Sequence, residues 1–352
     1  MLLRLIAVMT RQWIDTTTEL VTRLDTDLPA IRTELLGGAD PGHVTGIHGD
    51  LGDPHRGGRS VHIVMFADGA RIVYKPKDLR IDVALCDLVD RINRAAPPLE
   101  LRAVRALACA GYGWTEFIEH APCADQQGFE RYFARAGAWL ALFHCLAASD
   151  IHQENIIAAG EHPVLIDVET LLQPAMEEPA DQAPESQAFH DALQIVANSA
   201  MSVGLLPSYE RSPDNKVFAS GGLVSDWNVK TPIRWTDINT DAMRPIRSRE
   251  AGKTTPNLPR VGSCHARFID HLDALLTGFE DYAGFLAASP VDAALDGFAG
   301  LPVRIVPRPT KFYAMMLSRL RDHRTMNDGV LWSAQADFVA RLADWDTDND
   351  PR

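Results

Sequence analysis

The sequence is poor in the features that mark a disulfide scaffold, a membrane protein or a nucleic-acid binder. Its five cysteines, Cys86, Cys109, Cys123, Cys145 and Cys264, form no CxxC pair and are odd in number. That pattern suits reduced thiols in a cytoplasmic protein rather than a disulfide framework. Basic residues are outnumbered, 34 Lys and Arg against 47 Asp and Glu, for a formal net charge of -13. Binding to a phosphate backbone draws on concentrated basic patches, so nucleic acid is excluded as a partner. No apolar run is long enough to span a membrane, and no transmembrane segment is expected. The opening MLLRLIAVMTRQW is interrupted by Arg4 and Arg11, has no small-residue cleavage site and continues into IDTTTELVTRL at helical spacing. An amphipathic helix fits it better than a signal peptide.

What is present, 46% hydrophobic and 23% charged residues over 352 positions, is enough for one large domain or two lobes. From about Gly46 the stretch GIHGDLGDPHRGGRSVHIVMFADGARIVYKPKDL predicts a β-hairpin with a glycine-rich entry: Val61 to Phe66 form one strand, ADGA the turn and Arg71 to Tyr74 the return. Lys75 ends that return strand. Helical spacing runs from Asp82 to Ala95 and stops before Pro97 and Pro98. Strand-like LRAVRALACAGYGWTEFIE follows, then a long apolar helix from Phe129 to about Ala147, with Phe129, Phe133, Ala136, Leu140, Phe143 and Leu146 on one face. His144 on that helix reads as a core histidine. The Pro- and Glu-rich QPAMEEPADQAPESQA predicts a surface loop. Residues from about Phe189 to Leu205 read as helix and Pro207 to Pro259 as a long irregular segment. Helices resume at about Ala266 to Ala288, and LPVRIVPRPTKFYAMMLSRL reads as a strand or extended piece entering a helix.

The chemistry concentrates in SDIHQENIIAAGEHPVLIDVETL, which sets Asp150, His152, Asn155, Asp167 and Glu169 among core-forming Ile, Val and Leu. Carboxylates near a core need partners, and a divalent metal carrying a phosphate chain is one. In order along the chain stand a glycine-rich hairpin, a strand lysine, a long helix, an Asp and an Asn with four residues between them, and an Asp after an apolar strand. These are the parts of a kinase-type ATP site, in which the first Asp orients the attacking hydroxyl while the Asn and later Asp hold magnesium. Taken singly each match is weak. D-x-x-x-x-N is common, and a lysine on a strand is usually an ordinary surface charge. Cys264 and His265 lack the further ligands of a zinc site.

The stretches GDPHRGGRSVHIVMFADGARIVYKPKDL, GYGWTEFIE, DIHQENIIAAGEHPVLIDVETL and RIVPRPTKFY resemble, in that order, the dehydratase domain of the type II lanthipeptide synthetases, the LanM family. The resemblance covers about Gly46 to Leu320. It implies an α+β fold, lipid-kinase-like or protein-kinase-like and two-lobed with additional helices. It also implies transfer of phosphate from ATP, with Mg2+, to Ser and Thr of a precursor peptide with a leader, followed by elimination to dehydroalanine or dehydrobutyrine. Lys75 is then expected on the ATP phosphates, Asp150, His152 and Asn155 in the catalytic loop, and Asp167 and Glu169 on metal and phosphate. Asn155 and Asp167 are the expected metal ligands. Arg304 and Thr310, six apart, match the family's elimination pair, with Arg308 as a second phosphate cation. Asp53 and His55 match a GDxHxxGR signature, and His55 is assigned to elimination.

The resulting expectation is an N-terminal helical segment at 1–45, an N-lobe at 46–120, a C-lobe with activation segment and elimination motif at 121–325, and a C-terminal helix and tail at 326–352. Only about fifty residues precede the signature, and the zinc-dependent cyclase of full-length family members does not follow Arg352. The chain is therefore expected to be a dehydratase domain lacking its cyclase and truncated at both ends, whether fragment, split subunit or stand-alone enzyme, and a separate cyclase is an expected partner. A phosphotransferase without elimination and a non-catalytic peptide-binding module of a split synthetase are the alternatives.

Overall fold

The alternating apolar residues of RSVHIVMF and the β-branched RIVYK pair into the predicted hairpin, but the sheet they enter is larger. The computed structural model describes residues 1–55, 57–174, 187–211, 217–224, 233–238, 240–247, 256–288, 292–305 and 310–335. In chain order come α1 (Leu2–Glu34), β1 (Val44–His55), β2 (Arg59–Phe66), β3 (Arg71–Lys75), α2 (Arg80–Arg94), β4 (Ala106–Ala108), β5 (Gly113–Glu116) and α3 (Gln127–Cys145). Then follow β6 (Ile156–Ala159), β7 (His162–Leu165), α4 (Gln187–Ala197), β8 (Ser208–Arg211), β9 (Val217–Ser220), β10 (Ile233–Thr236), β11 (Arg244–Arg247), β12 (Arg260–Val261), β13 (Cys264–His265), α5 (Leu272–Ala288) and α6 (Thr310–Leu320). The fold is α+β, with one five-stranded sheet in the order β1-β2-β3-β5-β4 and small two-stranded ribbons.

The chain divides into two units, one of Met1–Pro29, His48–His62 and Ile305–Arg352, the other of Ala30–Ile47 and Ile63–Arg304. Within the first, α1 buries Leu20 and Leu24 but exposes Leu3 and Trp13, so the expected amphipathic helix is apolar on the outside too. Arg59, the arginine of the GDxHxxGR signature, donates from Nε to Glu19 Oε1 at 3.0 Å and ties that signature to α1.

The second unit holds the core. β3 and β5 pair antiparallel with Tyr74 opposite Trp114 and Lys75 opposite Gly113, and the Tyr74 and Trp114 rings lie 5.0 Å apart. The apolar stripe of α2, Ile81, Ala84, Leu85, Leu88, Val89 and Ile92, is buried as its spacing requires. Helix α3 is buried well beyond one stripe, since every residue from Ala136 to Phe143 lies inside. A helix apolar all round belongs at the centre of a core. It packs on α5 with backbones almost touching, because a Cβ on Gly137 would stand 2.0 Å from Leu275 O and one on Gly278 2.0 Å from Ala134 O. Only glycine permits that approach.

Several expectations need correction. The glycine-rich entry is itself a twelve-residue strand, β1. Its edge position leaves the partnering to backbone groups, which any residue supplies. His144 is exposed at the end of α3, not a core histidine. The helix expected from Phe189 to Leu205 ends at Ala197, and a 3-10 turn follows at Ala200–Val203. The irregular segment from Pro207 contains the hairpin β8-β9 and the ribbon β10-β11. Residues 301–305 are not a strand, and α6 begins at Thr310. Residues 329–335 are helical; the rest of the expected C-terminal tail, and most of the expected surface loop after Gln173, lie outside the described residues.

Candidate functional site

The hairpin β6-β7 brings the two halves of the acidic motif together. Its register pairs Ile156 with Leu165 and Ala159 with His162, so the next step outward sets Asn155 beside Ile166, whose N–H donates to Asn155 O at 2.8 Å. Asp167 follows by one residue. The loop before β6 is laced to the segment after Asp167 in the same way. Ser149 N–H donates to Thr170 O at 3.1 Å and Gln173 N–H to Ala147 O at 3.0 Å, while the buried Thr170 hydroxyl bonds Ser149 O. These bonds bring Asp150 near Asp167 and Glu169, which lie seventeen and nineteen positions further along the chain.

Asp150 adopts a left-handed backbone, φ +59°, a conformation Asp tolerates better than most residues. Its carbonyl accepts from Asn155 Nδ2 at 3.0 Å and from the His152 N–H at 3.1 Å, which closes the loop on itself. The Glu154 N–H donates to His152 Nδ1 at 3.3 Å, so the imidazole serves as cap of the short turn Gln153–Asn155. The Asp150 side chain is open to solvent on one side. Lost hydration raises its carboxyl above the ordinary value; His152 pulls it down, Asp167 and Glu169 push it up, and Arg304 pulls it down, with a net rise.

Opposite this loop stands the return strand β3. Lys75 is 6% exposed, not the surface charge that a lone strand lysine usually is. Its ammonium donates to Ile166 O and lies 3.8 Å from Asp82 Oδ1 on α2. Asp82 is equally buried, its Oδ2 has no hydrogen-bond partner among the described residues, and its carboxyl is raised, chiefly by burial, against the pull of Lys75 and Lys77. Lys77 reaches Asp167 Oδ1 at 2.5 Å and Glu169 Oε2 at 2.9 Å. Burial opposes the charged form of both partners. The mutual attraction outweighs it, so that Asp167 is held down at about 2 and Lys77 pushed up to about 12. Glu169 also accepts from the Arg304 guanidinium, and the Arg304 carbonyl accepts from Gln173 Nε2 at 2.8 Å.

The structure thus brings together Lys75, Asp150, His152, Asn155, Asp167, Glu169 and Arg304. Arg308 and the side chains of Asp53, His55 and Thr310 fall outside the described residues. Sequence reasoning missed Lys77 and Asp82. The only trace of them in the sequence is the place of Lys77 two residues after Lys75 in YKPK and that of Asp82 as the acid in the first turn of an otherwise apolar helix face, neither of which names a partner. Lys75, Lys77 and Arg304 face Asp82, Asp150, Asp167 and Glu169, three cations against four carboxylates.

Oxygen donors suited to a hard cation are at hand: Asp167 Oδ2 and Asn155 Oδ1 take no hydrogen bond among the described residues. Magnesium is held through one or two carboxylates plus phosphates and water rather than by an all-protein cage, and among the described residues no group of three or more His, Cys, Asp and Glu forms such a cage. The donor set fits magnesium delivered with phosphate.

The profile of the family described as "Domain of unknown function (DUF4135)" matches residues 1–351, and the chain belongs to that family. It is also 27% identical over 164 residues, 44% of its length, to a protein of Lactococcus lactis subsp. lactis named "Lacticin 481/lactococcin biosynthesis protein LcnDR2". The match spans 17% of that relative's length. The relative's name and the motif resemblance to lanthipeptide synthetases point the same way. Among the described residues no helix is long and apolar enough to cross a membrane.

Proposed function

We propose that this chain takes part in lanthipeptide maturation as a kinase-like dehydratase, phosphorylating Ser and Thr of a leader-bearing precursor peptide from ATP and then eliminating the phosphate. The observation that carries this reading is the convergence of Lys75 from β3 with the Asp150 to Asn155 loop and the Asp167 to Glu169 segment. In this reading Lys75, held from behind by Asp82, neutralises phosphate charge. Asp150 orients the attacking hydroxyl and receives its proton, a task helped by a carboxyl raised above the ordinary range. Asp167 and Asn155 are the residues that hold magnesium, which when bound offsets the charge of the phosphate oxygens. Arg304, a planar fork suited to phosphate, takes the departing phosphate after the α-proton is lost. Its tie to Glu169 places it beside the transfer machinery, so one cationic site serves both steps. His55, Thr310, Arg308 and Asp53 are assigned by motif match alone, and cyclisation of the dehydrated peptide is the further step this chemistry calls for.

The test is mass spectrometry of a Ser- and Thr-containing precursor after incubation with the protein, ATP and Mg2+. Loss of one water per modified residue is expected, with stable phosphopeptide from Arg304→Ala and unchanged peptide from Asp150→Asn. Stable phosphopeptide from the natural sequence would instead identify a transferase without elimination. Peptide binding with no ATP turnover by folded protein would identify a binding module and overturn the reading.

A further inference from the structure

Of the charged side chains in the site, Lys77 has no part in the reading above, yet it pairs with two of the site's carboxylates at once. Its ammonium lies 2.5 Å from Asp167 Oδ1 and 2.9 Å from Glu169 Oε2, bridging two carboxylates as a small cation would. About a quarter of its side chain and of Glu169's, and a third of Asp167's, are exposed, so the pairs are screened only in part. We propose that Lys77 is the built-in counterion of these carboxylates. It holds them in the ligand-free protein, is displaced when a divalent cation arrives with a polyphosphate, and thereby keeps the site from taking up free divalent metal.

The inference rests on the proposed ATP chemistry and adds a rule of order to it. A divalent cation at Asp167 meets the Lys77 ammonium as a like charge within a few ångströms, so the two cannot share the carboxylate pair. Metal alone must break both Lys77 ion pairs and leaves the ammonium without an equivalent partner, and removing one member of a partly buried pair is costly. Metal arriving with a triphosphate brings oxygens that can receive the displaced ammonium. Lys77 is on this account a positioning residue, deciding in what form the metal is admitted.

Mn2+ serves as the probe, its binding read by electron paramagnetic resonance of the free ion and by thermal shift, with and without a non-hydrolysable ATP analogue. Wild type is expected to bind Mn2+ weakly without nucleotide. In Lys77→Met, and in Lys77→Gln as a second variant should the first not fold, Mn2+ alone is expected to bind about tenfold tighter or more and to raise the melting temperature more than in wild type. Adding Asp167→Asn should abolish the gain. A merely structural role predicts a lowered melting temperature that Mn2+ does not restore, and folded variants with wild-type Mn2+ affinity overturn the proposal. The ATP reading is judged separately by wild type with the analogue. Tight Mn2+-analogue binding without a gain in the variants sinks only the Lys77 role, whereas a gain in the variants with no analogue binding sinks only the nucleotide reading.

Discussion

At the scale of single residues, Asp150 combines two unusual properties, a left-handed backbone and a raised carboxyl. Asn tolerates φ near +59° almost as well as Asp, whereas Ala in that region costs about 1 kcal/mol or somewhat more. Asp150→Asn should therefore match wild type in chemical denaturation while losing phosphate transfer. Asp150→Ala should lose both activity and about 1 kcal/mol, and Asp150→Gly should recover the stability but not the activity. Because the carboxyl is raised, activity should fall on the acid side at a higher pH than an ordinary aspartate, near 3.9, would give, and a pH–rate profile reads that limb directly. Asp150, Asn155 and Asp167 were legible in the sequence because their spacing is a local matter. Lys77 and Asp82 were not, because a lysine two residues along a chain and an acid on a helix acquire their partners only when β3, α2 and the loop after β7 meet.

The ion pair of Asp167 and Lys77 also sets the pH dependence of stability. Asp167 titrates at about 2 in the folded chain against an ordinary 3.8, so it favours folding wherever the unfolded carboxylate is ionised. That contribution is lost as pH falls through the folded value. Lys77 titrates at about 12 against 10.5, so its contribution is complete below 10.5 and lost as pH rises through 12. Urea midpoints measured across pH should accordingly fall at both extremes. Asp167→Asn should flatten the acid limb and reduce the Lys77 share of the alkaline one, which Glu169 and Asp82 continue to support.

At the scale of elements, the crossing of α3 and α5 makes the most exacting steric demand. A methyl group on Gly278 would lie 2.0 Å from Ala134 O, and one on Gly137 the same distance from Leu275 O, contacts that only a shift of the helices can relieve. Gly278→Ala and Gly137→Ala should each destabilise by roughly 3 kcal/mol, at the upper end of overpacking costs. The double variant should cost less than the sum, because one separation of the helices relieves both clashes. Differential scanning calorimetry of the three variants tests this. The α3 periodicity was plain in the sequence, as were the β2-β3 hairpin and α2, because each carries a regular apolar pattern in a single stretch. The two glycines carry no pattern at all, and β1 hid behind glycine and proline because its pairing uses backbone groups.

For the molecule as a whole, the second unit is held together by bonds between segments far apart in the chain, and Asn257 is where they meet. Fully buried, it donates from Nδ2 to Gly222 O at 2.9 Å and Val224 O at 3.1 Å, and its own carbonyl accepts from Tyr132 OH on α3 at 2.5 Å. No sequence pattern announces this, since Asn257 is one polar residue in the turn-rich region from Pro207 to Pro259, and the acceptors of its side chain lie more than thirty positions away. A buried polar group that loses its partner costs about 1–3 kcal/mol, more than the bond contributes when made. Asn257→Leu removes the donor from two carbonyls and adds apolar bulk to a packed site, so it should destabilise the fold by several times the cost of Tyr132→Phe, which removes one hydroxyl and its bond to the Asn257 carbonyl. Because Leu205 and Leu223 pair through their backbones beside the same carbonyls, and Val203 O accepts the Ile151 N–H at 3.0 Å, loosening at Asn257 should reach the Asp150 loop. Hydrogen exchange on Asn257→Leu should therefore show faster exchange at Ile151 as well as at Leu223, while the Lys75 strand stays protected. Exchange confined to the neighbours of Asn257 would show that the Asp150 loop is held independently of that buried amide.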